Sequence, residues 1–225
     1  TTARIMEWYE HYNGLVYVAF SGGKDSTVLL DLVRRIYPDI PAVFCDTGLE
    51  FPEIRQFAMS VNNVVVLRPE MNFKKVIETY GYPIVSKRVA DTVEYGHKPG
   101  SFRWKELHGE IIRSNGTKSE FNCEKWCYLL DAPFKVSSRC CNIMKKKPMK
   151  KYSKETGRVP IIATMADESR SRRSVWMSTG CNAFQKKSPS SQPMSFWTEN
   201  DVLEYIHTYN IPYASVYGDI VPCGG

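Results

Sequence analysis

The sequence predicts an α/β fold, namely a doubly wound parallel sheet with helices on both faces and a basic, cysteine-bearing C-terminal part. Short apolar runs alternate with longer segments in which apolar residues recur at helical spacing. Strands that alternate with helices favour a parallel sheet joined by right-handed crossovers. The composition, 43% hydrophobic and 24% charged, suits a globular chain that buries a sizeable core.

Three strand–helix units follow one another in the N-terminal part. The predicted strands cover residues 14–20, 41–45 and 64–67, and the predicted helices cover residues 27–36, 52–61 and 73–80. Residues 98–137 predict one or two helices with aromatic-rich loops, and residues 159–164 predict a further strand. Thr198, three residues before Asp201, forms a capping pattern that opens a last helix.

The bulk composition excludes several classes of protein. No apolar run approaches the ~20 residues that a membrane span needs, and the N-terminus lacks the apolar stretch of a signal peptide. Seven cysteines, an odd number, are too few for a disulfide scaffold, so thiols or metal ligands are the better interpretation. We therefore expect a cytoplasmic protein without a membrane partner.

The net charge of +6 is concentrated in one segment. Residues 139–187 contain thirteen Lys and Arg but three Asp and Glu, a balance of +10. Such a segment suggests a polyanionic partner, for example a nucleotide, a sulfate or phosphate group, or a nucleic acid. A solvated surface would show the same pattern.

A Gly-rich hexapeptide follows the first predicted strand and consists of Ser21, Gly22, Gly23, Lys24, Asp25 and Ser26. Two glycines let the backbone turn tightly and approach a ligand, and the N–H groups at the start of the next helix favour negative charge. The two serine hydroxyls add donors, and the lysine adds a positive charge. The motif therefore predicts a phosphate cradle, with an ordinary Gly-Gly turn as the alternative.

This hexapeptide is not the common P-loop, because Lys24 is followed by Asp25 and the spacing is shorter. It resembles the signature of the PP-loop ATP pyrophosphatases. Further stretches narrow the resemblance to the phosphoadenosine phosphosulfate (PAPS) reductase family, and they cover residues 44–53, 139–145, 197–206 and 211–213. The resemblance implies an adenine nucleotide alpha hydrolase-like fold. It makes residues 1–180 the PP-loop nucleotide-binding domain and residues 181–225 a C-terminal extension of that domain.

The second strand also contributes to the site that the resemblance implies. Asp46, Thr47 and Gly48 would lie beside the nucleotide, at the carboxyl end of a strand, where open α/β sheets bind ligands. Asp46 could help to hold Mg²⁺ on the phosphates, since hard cations take carboxylate oxygens. A turn-forming Asp-Thr-Gly is the alternative. Within the hexapeptide, we expect Lys24 and Asp25 to take part in catalysis.

Two basic groups are candidates for binding the substrate. The first contains three arginines that can bind phosphate or sulfate in a bidentate manner, Arg170, Arg172 and Arg173. The family usually carries another arginine just before this group, where this chain has Met165. The second group, Lys87 and Arg88, resembles a substrate-side loop of the family. Exposed surface charge is the alternative for both groups.

Four cysteines are candidate ligands of an iron–sulfur cluster, which typically needs four thiolates, and they are Cys140, Cys141, Cys181 and Cys223. Many relatives bind a four-iron cluster through a tandem cysteine and a later cysteine cluster, and the latter is absent from this sequence. Buried or free thiols are the alternative. We expect the four histidines to be structural or surface residues, since none stands at a catalytic spacing from a cysteine or a carboxylate.

The sequence thus indicates a PAPS-reductase-family enzyme of sulfur metabolism that binds ATP or an adenylyl sulfate (APS or PAPS). The reaction would be sulfonucleotide reduction or ATP-dependent sulfur transfer. One alternative is an ATP pyrophosphatase that activates a nucleic acid for DNA phosphorothioation or tRNA thiolation. Another is a non-catalytic subunit that binds a nucleotide or a cluster. A nucleic-acid acceptor and a thiol reductant or sulfur-donor protein are the partners that these alternatives imply.

Overall fold

The chain packs as two compact units. The computed structural model describes residues 1–220, so Cys223 lies outside the described residues. The first unit combines Thr1–Arg68 with the segment from Pro148 onward, and the second unit is Pro69–Lys147. This division differs from the boundary at residue 180 that the sequence suggests.

The first unit contains the sheet and most of the long helices. Its strands are β1 (Val16–Phe20), β2 (Ala42–Cys45), β3 (Val64–Leu67), β4 (Val159–Ile162), β5 (Asn182–Ala183) and β6 (Ser190–Ser191). Its helices are α1 (Thr2–His11), α2 (Lys24–Arg34), α3 (Pro52–Ser60), α8 (Arg170–Thr179) and α9 (Glu199–Tyr209), with 3₁₀ turns at Ala166–Glu168 and Ser215–Tyr217. Helix α7 (Lys147–Thr156) leads into β4.

The strand order is β3-β2-β1-β4-β6-β5, and the first five of these strands run parallel. The predicted parallel α/β sheet is therefore confirmed. The two short strands β5 and β6 pair antiparallel with each other, and the sequence analysis does not identify them. Two residues are too few for a hydrophobic period to show.

Strand β1 shows why helices cover both faces of the sheet. Val18 and Phe20 belong to the main core cluster together with Val28 and Leu29 of α2. Tyr17 points the other way and packs edge-on against Tyr152 of α7, with ring centroids 5.2 Å apart. Because successive side chains of a strand alternate between faces, one buried strand anchors helices on both sides.

Helix α2 begins three residues earlier than predicted. Gly23 is its N-cap in an extended conformation, so Lys24, Asp25 and Ser26 form the first helical turn rather than the end of a loop. The apolar periodicity begins only at Thr27, which is why the sequence predicts a later start. The early start moves the charged residues of the hexapeptide onto a rigid element.

The second unit has its own helices and its own small core. Its α-helices are α4 (Phe73–Tyr80), α5 (Lys87–Tyr95) and α6 (Phe102–Leu107), and a 3₁₀ helix (Glu124–Asp131) and a π-helix (Asn142–Lys146) follow. Val89, Val93, Leu107 and Leu129 meet in the core. Helix α5 is not among the predicted elements, because residues 84–88 resemble a loop. Ser86 caps this helix by accepting a hydrogen bond from the Val89 N–H at 3.2 Å.

Within residues 1–220, no helix is both long enough and apolar enough to cross a bilayer.

Candidate nucleotide-binding site

The candidate site lies where the strand order of the first unit reverses. The chain passes from β1 to β2 and β3 on one side, and then returns to β4 on the other side of β1. The carboxyl ends of β1 and β4 therefore flank the point at which open α/β sheets bind ligands. The predicted phosphate loop follows β1, and the Arg-bearing segment follows β4, so the fold brings these two predicted groups to one edge.

Gly22 makes the turn into the phosphate loop. Its φ of +74° lies in the left-handed region that favours glycine. A β-carbon there would be 2.9 Å from both Cγ2 and the carbonyl oxygen of Ile54, and 3.3 Å from Cβ of Ala58. Helix α3 thus presses directly against the loop backbone, which leaves no room for a side chain.

Serine hydroxyls brace the loop from inside. The buried Ser26 Oγ donates to the Gly23 carbonyl at 2.9 Å and accepts from the Ser21 N–H at 3.1 Å. Ser21 Oγ lies 3.0 Å from Ser26 Oγ and accepts a hydrogen bond from the Gly23 N–H at 3.3 Å. Both hydroxyls therefore brace the loop, although Ser26 is buried and Ser21 is exposed as a residue.

The N-terminus of α2 has the backbone features that suit an anion. No side chain caps this helix at Gly23. The first N–H groups of a helix have no intrahelical partner, and their partial positive charge attracts phosphate or carboxylate groups. The backbone geometry that the hexapeptide predicts is therefore present.

Acidic side chains surround Lys24. Its Nζ lies 3.0 Å from Oε1 of Glu199 and 3.4 Å from Oδ1 of Asp25. Burial by itself would lower the pKa of Lys24, but the hydrogen bond to Glu199 and the charges of both carboxylates hold that pKa above its usual value. Lys24 is therefore a charged, partly buried ammonium that an incoming phosphate would compete for.

Asp25, the second carboxylate beside Lys24, lies in surroundings that disfavour its ionised form. Burial raises the pKa of Asp25, the charge of Lys24 opposes the shift, and Glu168 and Glu199 add to it. The buried Oδ1 of Asp25 accepts no hydrogen bond of good geometry. It forms an ion pair with Nζ of Lys24 at 3.4 Å. Such a carboxylate costs folding free energy when it is ionised.

Asp46 lies at the end of β2, as predicted, but its carboxylate is already occupied. Arg55 of α3 donates to both of its oxygens at 3.0–3.2 Å, and Nε of Arg68 lies 3.8 Å away. The hydrogen bonds from Arg55 lower the pKa of Asp46. Because both oxygens face guanidinium groups, this arrangement does not fit Mg²⁺ ligation by Asp46.

The turn after Asp46 is held by an acid that the sequence analysis overlooks. The Thr47 N–H and hydroxyl donate to the two carboxylate oxygens of Glu50 at 3.0 and 2.7 Å. Gly48 has a φ of +74° and open space around its α-carbon. The predicted alternative of a turn-forming Asp-Thr-Gly is thus realised in the structure, and a role in nucleotide binding stays a prediction.

The three arginines after β4 lie in the first turn of α8, and all are exposed. Arg172 pairs with Glu168, and Arg173 Nη2 lies 3.2 Å from Oδ1 of Asp167. Met165, for which the family resemblance implies an arginine, is buried in the core. An anion would therefore bind here by replacing surface acids as partners of Arg172 and Arg173.

Lys87 and Arg88 belong to the second unit, where they open α5. Lys87 is exposed. Arg88 pairs with the buried Glu106 at 3.0 Å, donates to the Phe121 carbonyl and lies over the Phe121 ring. Arg88 therefore has a structural role in this unit, and its binding of substrate remains a prediction.

Cys140 and Cys141 open the helical stretch that contains the π-helix, with their sulfur atoms 3.9 Å apart. Burial and the neighbouring Cys141 raise the pKa of the Cys140 thiol. Among residues 1–220 no group of three or more His, Cys, Asp or Glu side chains is placed to hold a metal ion. Cys181 lies in the first unit, so the four-cysteine ligand set stays a prediction.

One histidine has a cysteine neighbour that the sequence does not indicate. Nε2 of His108 lies 3.7 Å from Sγ of Cys127, and Nδ1 of His108 lies 2.8 Å from the Trp104 carbonyl oxygen. The two residues are nineteen positions apart and come from different helical segments, so no local spacing could reveal the pair.

The site also contains residues that the sequence analysis misses. Arg55 and Glu199 contact the predicted Asp46 and Lys24, and the Tyr217 hydroxyl would be 3.3 Å from a β-carbon on Gly23. Each lies in or next to a recognised family stretch. None stands at a spacing that indicates a contact, because tertiary packing alone makes these neighbours.

Comparison with known proteins identifies the family. The phosphoadenosine phosphosulfate reductase domain matches residues 15–94 and 112–220. Adenosine 5′-phosphosulfate reductase of Geobacillus kaustophilus is 26% identical over 212 residues, which cover 93% of this chain and 70% of the relative. An uncharacterized protein of Methanocaldococcus jannaschii is 35% identical over 97 residues, which are 40% of this chain and 23% of that protein.

A solved structure agrees with the fold. The phosphoadenylyl-sulfate (PAPS) reductase of Candida auris, in a phosphate complex, aligns with a TM-score of 0.54 at 14% sequence identity. The alignment covers 99% of this chain and 88% of that one. The predicted adenine nucleotide alpha hydrolase-like fold is thus confirmed. The two segments that match the family domain together make up most of the chain. The chain therefore belongs to the phosphoadenosine phosphosulfate reductase domain family.

Proposed function

We propose that this chain is an enzyme of sulfur metabolism that binds ATP or an adenylyl sulfate with a phosphate at the N-terminus of α2. The observation that carries the proposal is the uncapped helix start at Gly23, directly after a turn that leaves no space for a side chain at Gly22. Backbone N–H groups and Lys24 are concentrated there, as anion binding requires.

In this proposal Lys24 and Asp25 act together. Lys24 stays charged and exchanges its contact with Glu199 for phosphate oxygens when the nucleotide binds. Asp25 keeps the ammonium oriented through their 3.4 Å contact. Amides and an ammonium that are fixed before the reaction stabilise charge as it develops on the nucleotide phosphate.

Sulfonucleotide reduction is the first candidate reaction, because a relative aligned over 93% of this chain is named an APS reductase. A thiolate attacks the sulfur atom of the adenylyl sulfate, and an S–S bond forms as the S–O bond to the nucleotide breaks. The electron pair of the broken bond leaves on the AMP phosphate, whose charge the loop and Lys24 stabilise. A second thiolate then releases sulfite and leaves a disulfide, so a thiol reductant is the required partner.

A second candidate reaction is favoured by the +10 charge of residues 139–187. An acceptor oxygen attacks the α-phosphorus of ATP, the bond to the bridging oxygen breaks, and pyrophosphate leaves. AMP is then attached to the acceptor, whose oxygen becomes replaceable by sulfur. The same cradle stabilises the leaving pyrophosphate, and a nucleic acid is the acceptor that the basic charge suggests.

One assay distinguishes the two reactions. The protein is incubated with APS or PAPS and a dithiol, and separately with ATP, Mg²⁺ and RNA or DNA, while sulfite and pyrophosphate are measured. Lys24→Ala is compared with Lys98→Ala, an exposed lysine outside both the site and the basic segment. We expect Lys24→Ala to lower turnover about 100-fold or more, as loss of one charge-stabilising donor does, and Lys98→Ala to have no effect.

The outcomes are separable. Sulfite without pyrophosphate supports the reductase, and pyrophosphate without sulfite supports activation of an acceptor. Nucleotide binding with neither product identifies a non-catalytic subunit. Failure to bind any adenine nucleotide, measured by calorimetry on the folded protein, overturns the proposal.

A further inference from the structure

We propose that α7 binds the phosphate backbone of a nucleic acid through one face, the lysine face, which consists of Lys150, Lys151 and Lys154. This inference does not depend on which reaction the nucleotide site performs. It assigns a function to part of the basic segment that the nucleotide site does not use.

The helix geometry places the three lysines together. With about 100° of rotation per residue, they fall within an arc of about 100° on one side of α7. All three side chains are exposed. Lys150 and Lys154 are one turn apart, about 6 Å along the helix axis, so both can contact a single extended polyanion.

The opposite side of α7 is fixed against the sheet. Tyr152 packs edge-on against the buried Tyr17 of β1, and Ser153 Oγ lies 3.2 Å from the Tyr17 hydroxyl. These two residues point away from the lysine face. The lysines are thus held on a rigid element whose orientation is set by packing, which reduces the entropy lost when a ligand binds.

The lysine face has no acidic partner in the part of the chain that the structure describes, whereas several other exposed cations have one. Among the ion pairs of residues 1–220, none involves Lys150, Lys151 or Lys154. Other exposed cations do have carboxylate partners, and examples are Arg4–Glu7, Arg35–Asp31, Arg173–Asp167 and Lys147–Glu70.

Repulsion among the three lysines opposes the stability of the free helix. Lys150 and Lys154 are four positions apart and Lys151 and Lys154 are three apart, and like charges at these spacings destabilise a helix. A polyanion bound along this face would turn the repulsion into attraction and release counterions.

The observations favour a nucleic acid over a membrane surface. A helix that lies in a membrane interface inserts an apolar face into the lipid. On α7 the side opposite the lysines is occupied by the contact with Tyr17, so no apolar face is available for insertion. Regularly spaced lysines that remain exposed suit a chain of phosphates instead.

The test measures binding to fluorescein-labelled 20-nucleotide single-stranded RNA and DNA by anisotropy between ~50 and ~200 mM salt. The variant K150Q/K151Q/K154Q is compared with K74Q/K75Q/K98Q, which removes the same charge from exposed lysines of the second unit. Each phosphate contact contributes about −0.7 to the slope of log K against log salt. We expect the slope for the lysine-face variant to be less steep than that for the wild type by about 2. We expect its affinity to be lower by at least about tenfold at ~0.1 M salt.

The control variant should bind like the wild type, and the lysine-face variant should keep its melting temperature and its affinity for nucleotide in the candidate site. The proposal is overturned if the wild type binds neither strand at ~50 mM salt, or if both variants weaken binding equally. Binding to phosphatidylserine vesicles without binding to nucleic acid would assign the face to a membrane and also overturn it. Because nucleotide affinity is measured on the same proteins, failure here is distinct from failure of the proposed function.

Discussion

The turn at Gly22 offers the sharpest test of how the phosphate loop is built. Gly22→Ala places a β-carbon on a residue with a φ of +74°, 2.9 Å from the Ile54 side chain and 2.9 Å from the Ile54 carbonyl oxygen. The carbonyl belongs to the backbone of α3 and cannot rotate away. Either the loop or the N-terminal half of α3 must therefore move.

Two separate costs are expected from this substitution. Left-handed backbone costs an L-residue about 1–2 kcal/mol, and forcing an extra methyl into a packed site costs about 1–3 kcal/mol. The sum is about 2–4 kcal/mol after the smaller entropy of the unfolded alanine chain is allowed for. For a chain of this size each kcal/mol lowers the melting temperature by about 2–4 °C, so we expect a fall of roughly 5–15 °C.

Gly157→Ala is the matched control, because Gly157 has a φ of +71° but no neighbouring atom within 4 Å of the position that a β-carbon would take. This variant should show the backbone cost alone, about 1–2 kcal/mol. Urea unfolding of both variants, followed by circular dichroism, measures the difference. Calorimetric titration with ATP and APS then tests the loop, and displaced amides should weaken Gly22→Ala by about tenfold or more.

A Gly22→Ala protein that is no less stable than Gly157→Ala would contradict this prediction. So would a Gly22→Ala protein that binds ATP and APS with the affinity of the wild type. The first result would mean that α3 does not press on the loop, and the second would mean that the loop amides do not contact the nucleotide.

Three further predictions concern the charged residues of the site. Glu199→Gln should raise nucleotide affinity about 2–5-fold, because Lys24 loses an exposed competitor whose ion pair is worth under about 1 kcal/mol; weaker binding by calorimetry would contradict this. Arg55→Gln should destabilise the fold by about 1–2 kcal/mol at pH 7. Pairing with Arg55 lowers the pKa of Asp46, so the ion pair stabilises the fold above about pH 3.9 and this stabilisation is lost at lower pH. If the difference in unfolding free energy between the wild type and Arg55→Gln stays constant down to about pH 3 in urea titrations, this prediction is refuted. Asp25→Asn should raise the melting temperature at pH 7 but lower turnover, since burial raises the pKa of Asp25 and the ionised form destabilises the fold above that pKa; a lower melting temperature would count against it.

The fold and the loop could be predicted because their signals are local. The strand before Ser21 and the helix after it each show their own hydrophobic period, and alternation of such elements allows few topologies. Adjacent glycines indicate a backbone that is left-handed or closely packed against a neighbour, and Gly22 shows both features. The helix start at Lys24 is earlier than its periodicity indicates, because polar residues in a first turn carry no apolar period.

The partners of the predicted residues could not be predicted. Glu199 reaches Lys24 from 175 positions away, so no local spacing indicates this ion pair. The stretch that contains Lys87 and Arg88 resembles a loop in sequence, because a helix start that is capped by a serine is hard to distinguish from a loop. The bidentate contact of Arg55 likewise removes Asp46 from the set of available metal ligands.

The sequence alone determined that this protein has a parallel α/β sheet, that a glycine turn leads into a helix, and that basic charge lies between residues 139 and 187. These properties follow from periodicity, backbone preference and composition, each of which a short stretch of chain contains in full. The tertiary structure decided which carboxylates neutralise Lys24, Arg55 and Arg88, and which lysines remain without a partner on α7. Charge pairing depends on distances across the folded chain, and only packing sets those distances.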